Sequence, residues 1–289
     1  MAAGCGAGTV GHAIYAARMA TSRQPGWWRP RRDRLILVTG GRGLLGRHLS
    51  ETDLTRRYSW VAPTSSALDL RDRERVLQHV RGWKPSVIVH LAYRRDAASI
   101  VGATAHIAEA AAACRARFIH LSTDLVFAGR EAPYTERDAP DAPQEYGRWK
   151  AEAEARVAFW CPGAVIIRTS LLYGTVHLAP WQDDVRQRKP ILWNEGELRC
   201  ATHAADVAAA IAVLVRRREV RGPLHIAATE AISRAGLAQA MAGWMRLPDG
   251  AVRTAPGLAP GRPGRVVLDS SLAASTLGIH CRPLAAALR

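Results

Sequence analysis

The sequence predicts an α/β fold, a doubly wound parallel sheet with a smaller C-terminal substrate-binding lobe, and three observations predict it. A short apolar run with β-branched members, Leu35-Ile36-Leu37-Val38, passes directly into a glycine-rich turn and then a helical pattern. Strand-like and helix-like patterns then alternate as far as Asp124, which implies parallel strands joined by crossover helices, with ligands at the carboxyl ends of the strands. At 289 residues and 48% hydrophobic content the chain can bury a sizeable core, so one unit of two lobes is expected.

Taken in order, residues 1–33 read as a disordered extension. Residues 2–17 are mildly apolar but contain His12 and four Gly with no basic segment in front, so a secretory signal fits poorly. An organellar transit segment, or an over-long start with Met19 as the initiator, are the alternatives; the pair Trp27-Trp28 has no explanation in the sequence. The organised chain begins at Leu35. In Thr39-Gly40-Gly41-Arg42-Gly43-Leu44-Leu45-Gly46 the spacing is T-G-x-x-G-x-x-G rather than G-x-G-x-x-G. Gly40 allows the tight turn, Gly43 lets backbone amides approach a pyrophosphate where the helix starts, and Gly46 lets helix and strand pack closely. Strand, glycine turn and helix in that order are the start of a Rossmann dinucleotide site, and Gly40, Arg42, Gly43, Leu44, Leu45 and Gly46 are its candidate cofactor contacts.

Val61-Ala62 is the second strand, Leu68-Asp69-Leu70-Arg71-Asp72 opens the next helix, and Pro85 to Ala92 is a buried parallel strand. Ile107 to Cys114 is an Ala-rich helix, and Phe118 to Asp124 is a strand ending in two hydroxyls and a carboxylate. The dinucleotide-binding core is expected over 34–174, with about 201–228 returning to it; about 175–200 and 229–289 form the substrate-binding lobe.

Lys+Arg 40 against Asp+Glu 25 gives a formal charge of +15, which invites a nucleic-acid or membrane partner. The composition argues against both. Only Lys84, Lys150 and Lys189 are lysines, a bias of a GC-rich coding sequence, and the stretch up to Arg34 carries +5 through six Arg and one Asp. The remaining +10 is scattered. Cys5, Cys114, Cys161, Cys200 and Cys281 are odd in number and far apart, which excludes a disulfide framework or a zinc site, and His177, His203 and His225 lack ligand spacing, so no metal is expected. No run of 18 apolar residues exists to span a membrane. A cytoplasmic protein, with a homodimer as a possible state, is the expectation.

Tyr146 and Lys150 lie four apart, on one face of a helix, after the strand end Ser122-Thr123-Asp124. A phenol near pKa 10 is protonated at neutral pH and can give its proton to a developing alkoxide, and an ammonium one turn away stabilises the phenolate left behind. With Thr39 to Gly46, Leu121 to Gly129, Pro133-Tyr134-Thr135-Glu136-Arg137-Asp138, Arg168 to Gly174, Thr202 with Asp206-Val207-Ala208, and Arg262-Pro263 before Leu268-Asp269, these residues resemble the extended short-chain dehydrogenase/reductases, in their dTDP-4-dehydrorhamnose reductase (RmlD-like) branch. The resemblance covers about residues 35–280.

What it implies is NAD(P)H-dependent reduction of a 4-keto nucleotide sugar. Tyr146 is then the proton donor, Lys150 holds the nicotinamide ribose, and Thr123 fixes the ketone. Asp124 and Leu171 are substrate contacts; Asp69 and Leu70 meet the adenine, and Ala92, Tyr93 and Arg94 pass the middle of the cofactor. Asp69 also reads as a helix N-cap. NADP is favoured over NAD, because Thr64, Ser65 and Ser66 follow the second strand with no acid before Asp69, and Arg42 sits in the glycine turn. In the second lobe Trp181, Asp183, Asp184, Arg186, Arg199 and Arg262 are candidates, the arginines suiting a diphosphate. The same branch contains the catalytically silent, NADP-binding regulatory β subunit of methionine adenosyltransferase, which is the alternative. Two departures bear on the choice: Ile100-Val101-Gly102-Ala103-Thr104 stands where the family has an Asn, and the loop from Tyr93 is shorter than usual. Leu125 and Leu171 replace common aromatics.

Overall fold

Five buried residues, Leu35–Thr39, form β1 of the computed structural model, which describes residues 35–289. The expectations for residues 1–33, Trp27 and Trp28 among them, lie outside the described residues. Leu35 and Leu37 pack into one core cluster and Ile36 and Val38 into another, as a sheet covered on both faces requires. Along the chain follow α1 (Leu44–Ser50), α2 (Leu54–Arg57), β2 (Ser59–Val61), α3 (Arg73–Trp83), β3 (Val87–His90), α4 (Ala103–Ala113), β4 (Arg117–Leu121), α5 (Glu145–Trp160) and β5 (Val165–Arg168). Then come β6 (Leu172–Tyr173), α6 (Pro180–Arg186), β7 (Leu192–Asn194), β8 (Leu198–Arg199), β9 (Thr202–His203), α7 (Ala204–Leu214) and β10 (Gly222–His225). The chain closes with β11 (Ile232–Ser233), α8 (Arg234–Trp244), β12 (Arg253–Ala255), β13 (Arg265–Val266), α9 (Ser271–Leu277) and α10 (Leu284–Ala287).

The main sheet has the order β10-β5-β4-β3-β1-β2, and every pairing in it is parallel. The chain winds outward from β1 to β2, then crosses back to β3 on the other side of β1. That reversal opens a crevice at the carboxyl ends of β1 and β3, where open α/β sheets bind ligands. On one face Ile36, Val38, Val89, Ile119 and Ile167 cluster with Ala204, Val207, Ala208 and Ile211 of α7. On the other, Leu35, Leu37, Ile88, Phe118 and Ile166 meet Val76 and Val80 of α3, Ile107 and Ala108 of α4, and Val157 of α5. A further core joins Tyr173, Val185 and Trp193 to Leu237, Ala238 and Met241 of α8.

Several boundaries differ from the sequence reading. The second strand is Ser59–Val61, starting two residues and ending one residue earlier, and the β4 strand ends at Leu121, leaving Ser122, Thr123 and Asp124 beyond it. The helix after β2 starts only at Arg73, where the Asp72 carboxylate accepts from the Arg75 amide at 3.0 Å. Asp69 is therefore no helix cap; Arg71 holds its carboxylate instead. The Ala-rich helix begins at Ala103 rather than Ile107, and a π-helical turn, Ala98–Gly102, precedes it. That wide turn occupies the segment where the family's Asn is missing, and the Ile100 side chain there is fully buried.

Candidate active site

The glycine turn closes over the end of β3. Gly40 has φ +72°, and a Cβ on it would lie 2.7 Å from the Ala92 nitrogen, so both the turn and the approach exclude any side chain. A Cβ on Gly46 would lie 2.5 Å from Gly41 Cα, which keeps α1 pressed on the turn. Gly43 is exposed and starts α1 with no side-chain cap, so first-turn amides face outward unclaimed by any side chain. Thr39 Oγ1 accepts from the Ala92 amide at 3.3 Å and lies 2.7 Å from His90 Nδ1; His90 Nε2 reaches Thr104 Oγ1 at 3.0 Å. This turn and its free amides fit a dinucleotide's pyrophosphate. Gly41 also abuts Ala62, which places the exposed Arg42 next to the segment carrying Thr64 and Ser66, whose hydroxyls bond each other at 2.8 Å. Leu44 is half-buried and Leu45 buried beneath the turn.

Asp69 and Leu70 follow, both half-buried. The Arg71 guanidinium holds the Asp69 carboxyl well below the usual carboxylate range, with Arg94 adding its charge. An acid so occupied is a poor acceptor for a ribose hydroxyl.

Across the crevice, α5 presents Tyr146, Lys150 and Glu154 at successive turns. Gly147 lets this helix descend on the loop after β4, since a Cβ there would sit 2.0 Å from the Leu125 carbonyl oxygen. Burial, then the neighbouring Tyr93 and Asp124, raise the Tyr146 phenol above its ordinary value; the Arg95 charge and hydrogen bonding by Thr123 pull the other way. Tyr146 is thus a neutral acid at physiological pH. Arg95 lies over its ring at 5.3 Å and the exposed Tyr93 stands 6.3 Å from it. Lys150 is buried, donates to the Leu121 carbonyl at 2.6 Å, and is pushed down to about 8 by burial against the raising influence of Glu154. It stays mostly charged at pH 7.

Thr123 and Asp124 lie where the chain leaves β4. The Thr123 hydroxyl donates to Asp124 Oδ1 at 3.2 Å and accepts from the Leu125 amide at 3.2 Å. Asp124 is buried, accepts from Ser170 Oγ at 2.6 Å, and has Arg199 Nε 3.9 Å away; burial still raises its carboxyl. Behind it the buried Glu197 gathers three cations: Arg262 Nη2 at 2.9 Å, Arg199 at 3.8 Å and Arg234 at 3.9 Å. Arg234 also packs over Trp193 and feels the charge of Arg95. Four arginines against two carboxylates leave this wall net positive.

The candidate residues therefore divide. Thr123, Asp124, Tyr146, Lys150, Arg199 and Arg262 are brought to one side of the crevice. Arg186 and Asp183 form a surface pair at 2.8 Å, Asp184 pairs with Lys189, and Trp181 donates to the Leu172 carbonyl at 2.9 Å and packs against Trp193. Leu171 is half-buried and packs with the Trp181 and Trp193 core. Arg95, Ser170, Glu197 and Arg234 were not visible as site residues, because nothing in their local sequence ties them to Asp124. Glu154 could have been found, one further helical step beyond Tyr146 and Lys150. Among the described residues no three His, Cys, Asp or Glu side chains are placed to hold a metal ion, and no helix is long and apolar enough to cross a membrane.

A family model for the RmlD substrate binding domain matches residues 34–289. The chain belongs to this family. The rat methionine adenosyltransferase 2 subunit beta is 32% identical over 283 residues, covering 86% of this chain and 84% of that protein. The dTDP-4-dehydrorhamnose reductase of Mycolicibacterium smegmatis is 32% identical over 183 residues, 54% of each chain. Among solved structures, the Bacillus anthracis dTDP-4-dehydrorhamnose reductase in complex with NADP superposes with a TM-score of 0.79 at 22% identity, covering 88% of this chain and 97% of that one. Membership in the RmlD family and this likeness agree with the doubly wound sheet read from the sequence and with the extended short-chain dehydrogenase/reductase resemblance.

Proposed function

We propose that this RmlD-family chain is an NADP(H)-dependent reductase of a 4-keto nucleotide sugar. One observation carries the reading: Tyr146 and Lys150, one turn apart on α5, stand beside Thr123 at the end of β4, across from the glycine turn. The reduced nicotinamide, when bound, supplies hydride to the ketone carbon. Tyr146 gives its proton to the ketone oxygen as the alkoxide develops, and Lys150, charged and seated on the Leu121 carbonyl, stabilises the phenolate. Thr123 orients the ketone, Asp124 takes a sugar hydroxyl, and the arginines around Glu197 suit the diphosphate. In this reading 34–174 with 201–228 hold the cofactor, and 175–200 with 229–289 hold the sugar nucleotide.

NADP is favoured over NAD because the exposed Arg42 follows Gly41, which abuts Ala62 just before Thr64 and Ser66, while Asp69 is taken by Arg71. Cytoplasmic residence and a homodimer belong to the same proposal. A second reading, an NADP-binding regulatory subunit, is favoured by the likeness to the rat β subunit and by Ile100, an apolar side chain filling the π-turn where an Asn is expected. NADPH oxidation with a panel of thymidine- and uridine-linked 4-keto sugars separates the two. Turnover with one of them supports the reductase; tight NADPH binding without turnover, together with capture of a methionine adenosyltransferase catalytic subunit, would replace it with the regulatory reading.

A further inference from the structure

We propose that Glu154 is a positioning residue for Lys150: its carboxylate, locked in place from the sheet, holds the lysine charged and seated at the end of β4, one turn below Tyr146. The inference rests on the reading of Lys150 as the cation of the cofactor site, and it concerns what keeps that cation there.

Tyr146, Lys150 and Glu154 are spaced by four along α5 and so form one stripe facing the sheet. Lys150 and Glu154 are both buried, at 6% and 5% exposure. A buried ammonium surrounded by apolar groups sheds its proton unless an opposite charge is fixed nearby. The backbone contact of Lys150 is the Leu121 carbonyl. The next residue, Ser122, donates its hydroxyl to Glu154 Oε1 at 2.5 Å. Lysine and glutamate thus grip consecutive residues of the same strand end, immediately before Thr123.

Glu154 is itself immobilised. Arg168, at the end of β5, donates Nη2 to Oε2 at 2.8 Å and Nε to both oxygens at 3.2 Å, while its Nη1 reaches the Asp138 carbonyl at 3.3 Å. The other groups that face Lys150 are Tyr146 on its own helix, His90 from β3 and His120 from β4. Both histidines are kept neutral by burial, with the lysine charge adding to the effect. Neither can compensate an ammonium, so among the described residues Glu154 is the anion that works against the burial lowering Lys150.

The test uses the fact that the full chain holds three lysines. Protein carrying 13C-labelled lysine gives three side-chain Cε signals whose shifts report protonation, and Lys150→Arg assigns the buried one without cofactor or substrate. In wild type that signal should titrate well below an ordinary lysine, near pH 8. In Glu154→Gln it should fall by about one further pH unit, as for loss of an opposite charge one helical turn away. NADPH affinity at pH 8 should then drop about fivefold while that at pH 6 holds, since a midpoint moved from about 8 to about 7 takes the charged fraction at pH 8 from about a half to about a tenth. Glu154→Asp should recover most of the midpoint. If Glu154→Gln does not fold because Arg168 is left unpaired, Glu154→Gln/Arg168→Met supplies the measurement, with a smaller fall expected. An unchanged lysine midpoint in whichever variant folds overturns the proposal, because a purely structural clamp would alter melting and leave the titration alone. A shifted midpoint with no effect on NADPH at any pH would uphold the coupling and instead overturn Lys150 as the cofactor-site cation.

Discussion

The two faces of the central sheet are built from alternate residues of the same strands, yet they end differently. Toward α1 and α7 the side chains stay apolar to the carboxyl ends, with Val38, Val89, Ile119 and Ile167. Toward α4 and α5 the last side chains are Thr39, His90, His120 and Arg168, and α5 adds Lys150 and Glu154. One face is a packing surface only. The other carries a buried polar stratum in which most groups have a fixed partner, as burial demands, while both ring nitrogens of His120 have none. The contrast locates chemistry on the side of the crevice walled by α5 and assigns stability to the other.

Four measurements sharpen or break this contrast. Tyr146→Phe keeps the ring and removes the proton, so turnover should fall roughly 100- to 10,000-fold with cofactor affinity retained. Equal loss of both would move Tyr146 from proton transfer to packing. On the opposite face, Ile167→Ala should cost about 2–5 kcal/mol in urea unfolding, the range for a core cavity, and leave turnover per folded molecule unchanged. A loss of turnover there would dissolve the distinction between the faces.

Acid should weaken the fold through its histidines. His90 is lowered to about 3 and His120 well below its usual value, in both cases first by burial, and burial likewise lowers His203 and His225 to about 4 and His48 by a lesser extent. Each binds a proton more readily unfolded than folded. The stability they confer is therefore complete above about pH 6.5 and drains away as pH falls toward 4 and 3, at about 2 kcal/mol by pH 5 for a fully buried ring such as His90. Urea midpoints at pH 7 and 5 check this; a flat profile would contradict neutral buried histidines. The smallest effect is expected at the cofactor's edge, where Arg42→Ala should weaken NADPH about 5- to 100-fold and leave NADH nearly alone. Equal weakening of both would assign Arg42 to the pyrophosphate or the turn.

Much of this was legible in the sequence wherever the signal is local. The apolar run at Leu35, the glycine turn and the four-residue step from Tyr146 to Lys150 each sit within one element, so strand alternation and helical spacing report them. Helix starts were less legible. Asp69 and Asp72 both have capping chemistry, and only the fold shows that Arg71 claims the first. The π-turn at Ala98–Gly102 left no pattern that a wide turn would need. Arg234 and Glu197 were invisible for a different reason: their meeting depends on the antiparallel pairing of β11 with β8, a tertiary fact that no spacing encodes.

The most direct test of the central claim, that Tyr146, Lys150 and Thr123 form a reducing site opposite the glycine turn, is transfer of label from NADPH deuterated on its transferable C4 position to a 4-keto nucleotide sugar. The account predicts a product one mass unit heavier with deuterium at the sugar C4 in wild type, and almost none with Tyr146→Phe at the same cofactor occupancy. Saturated binding of NADPH and keto sugar with no deuterium transfer in wild type would contradict it.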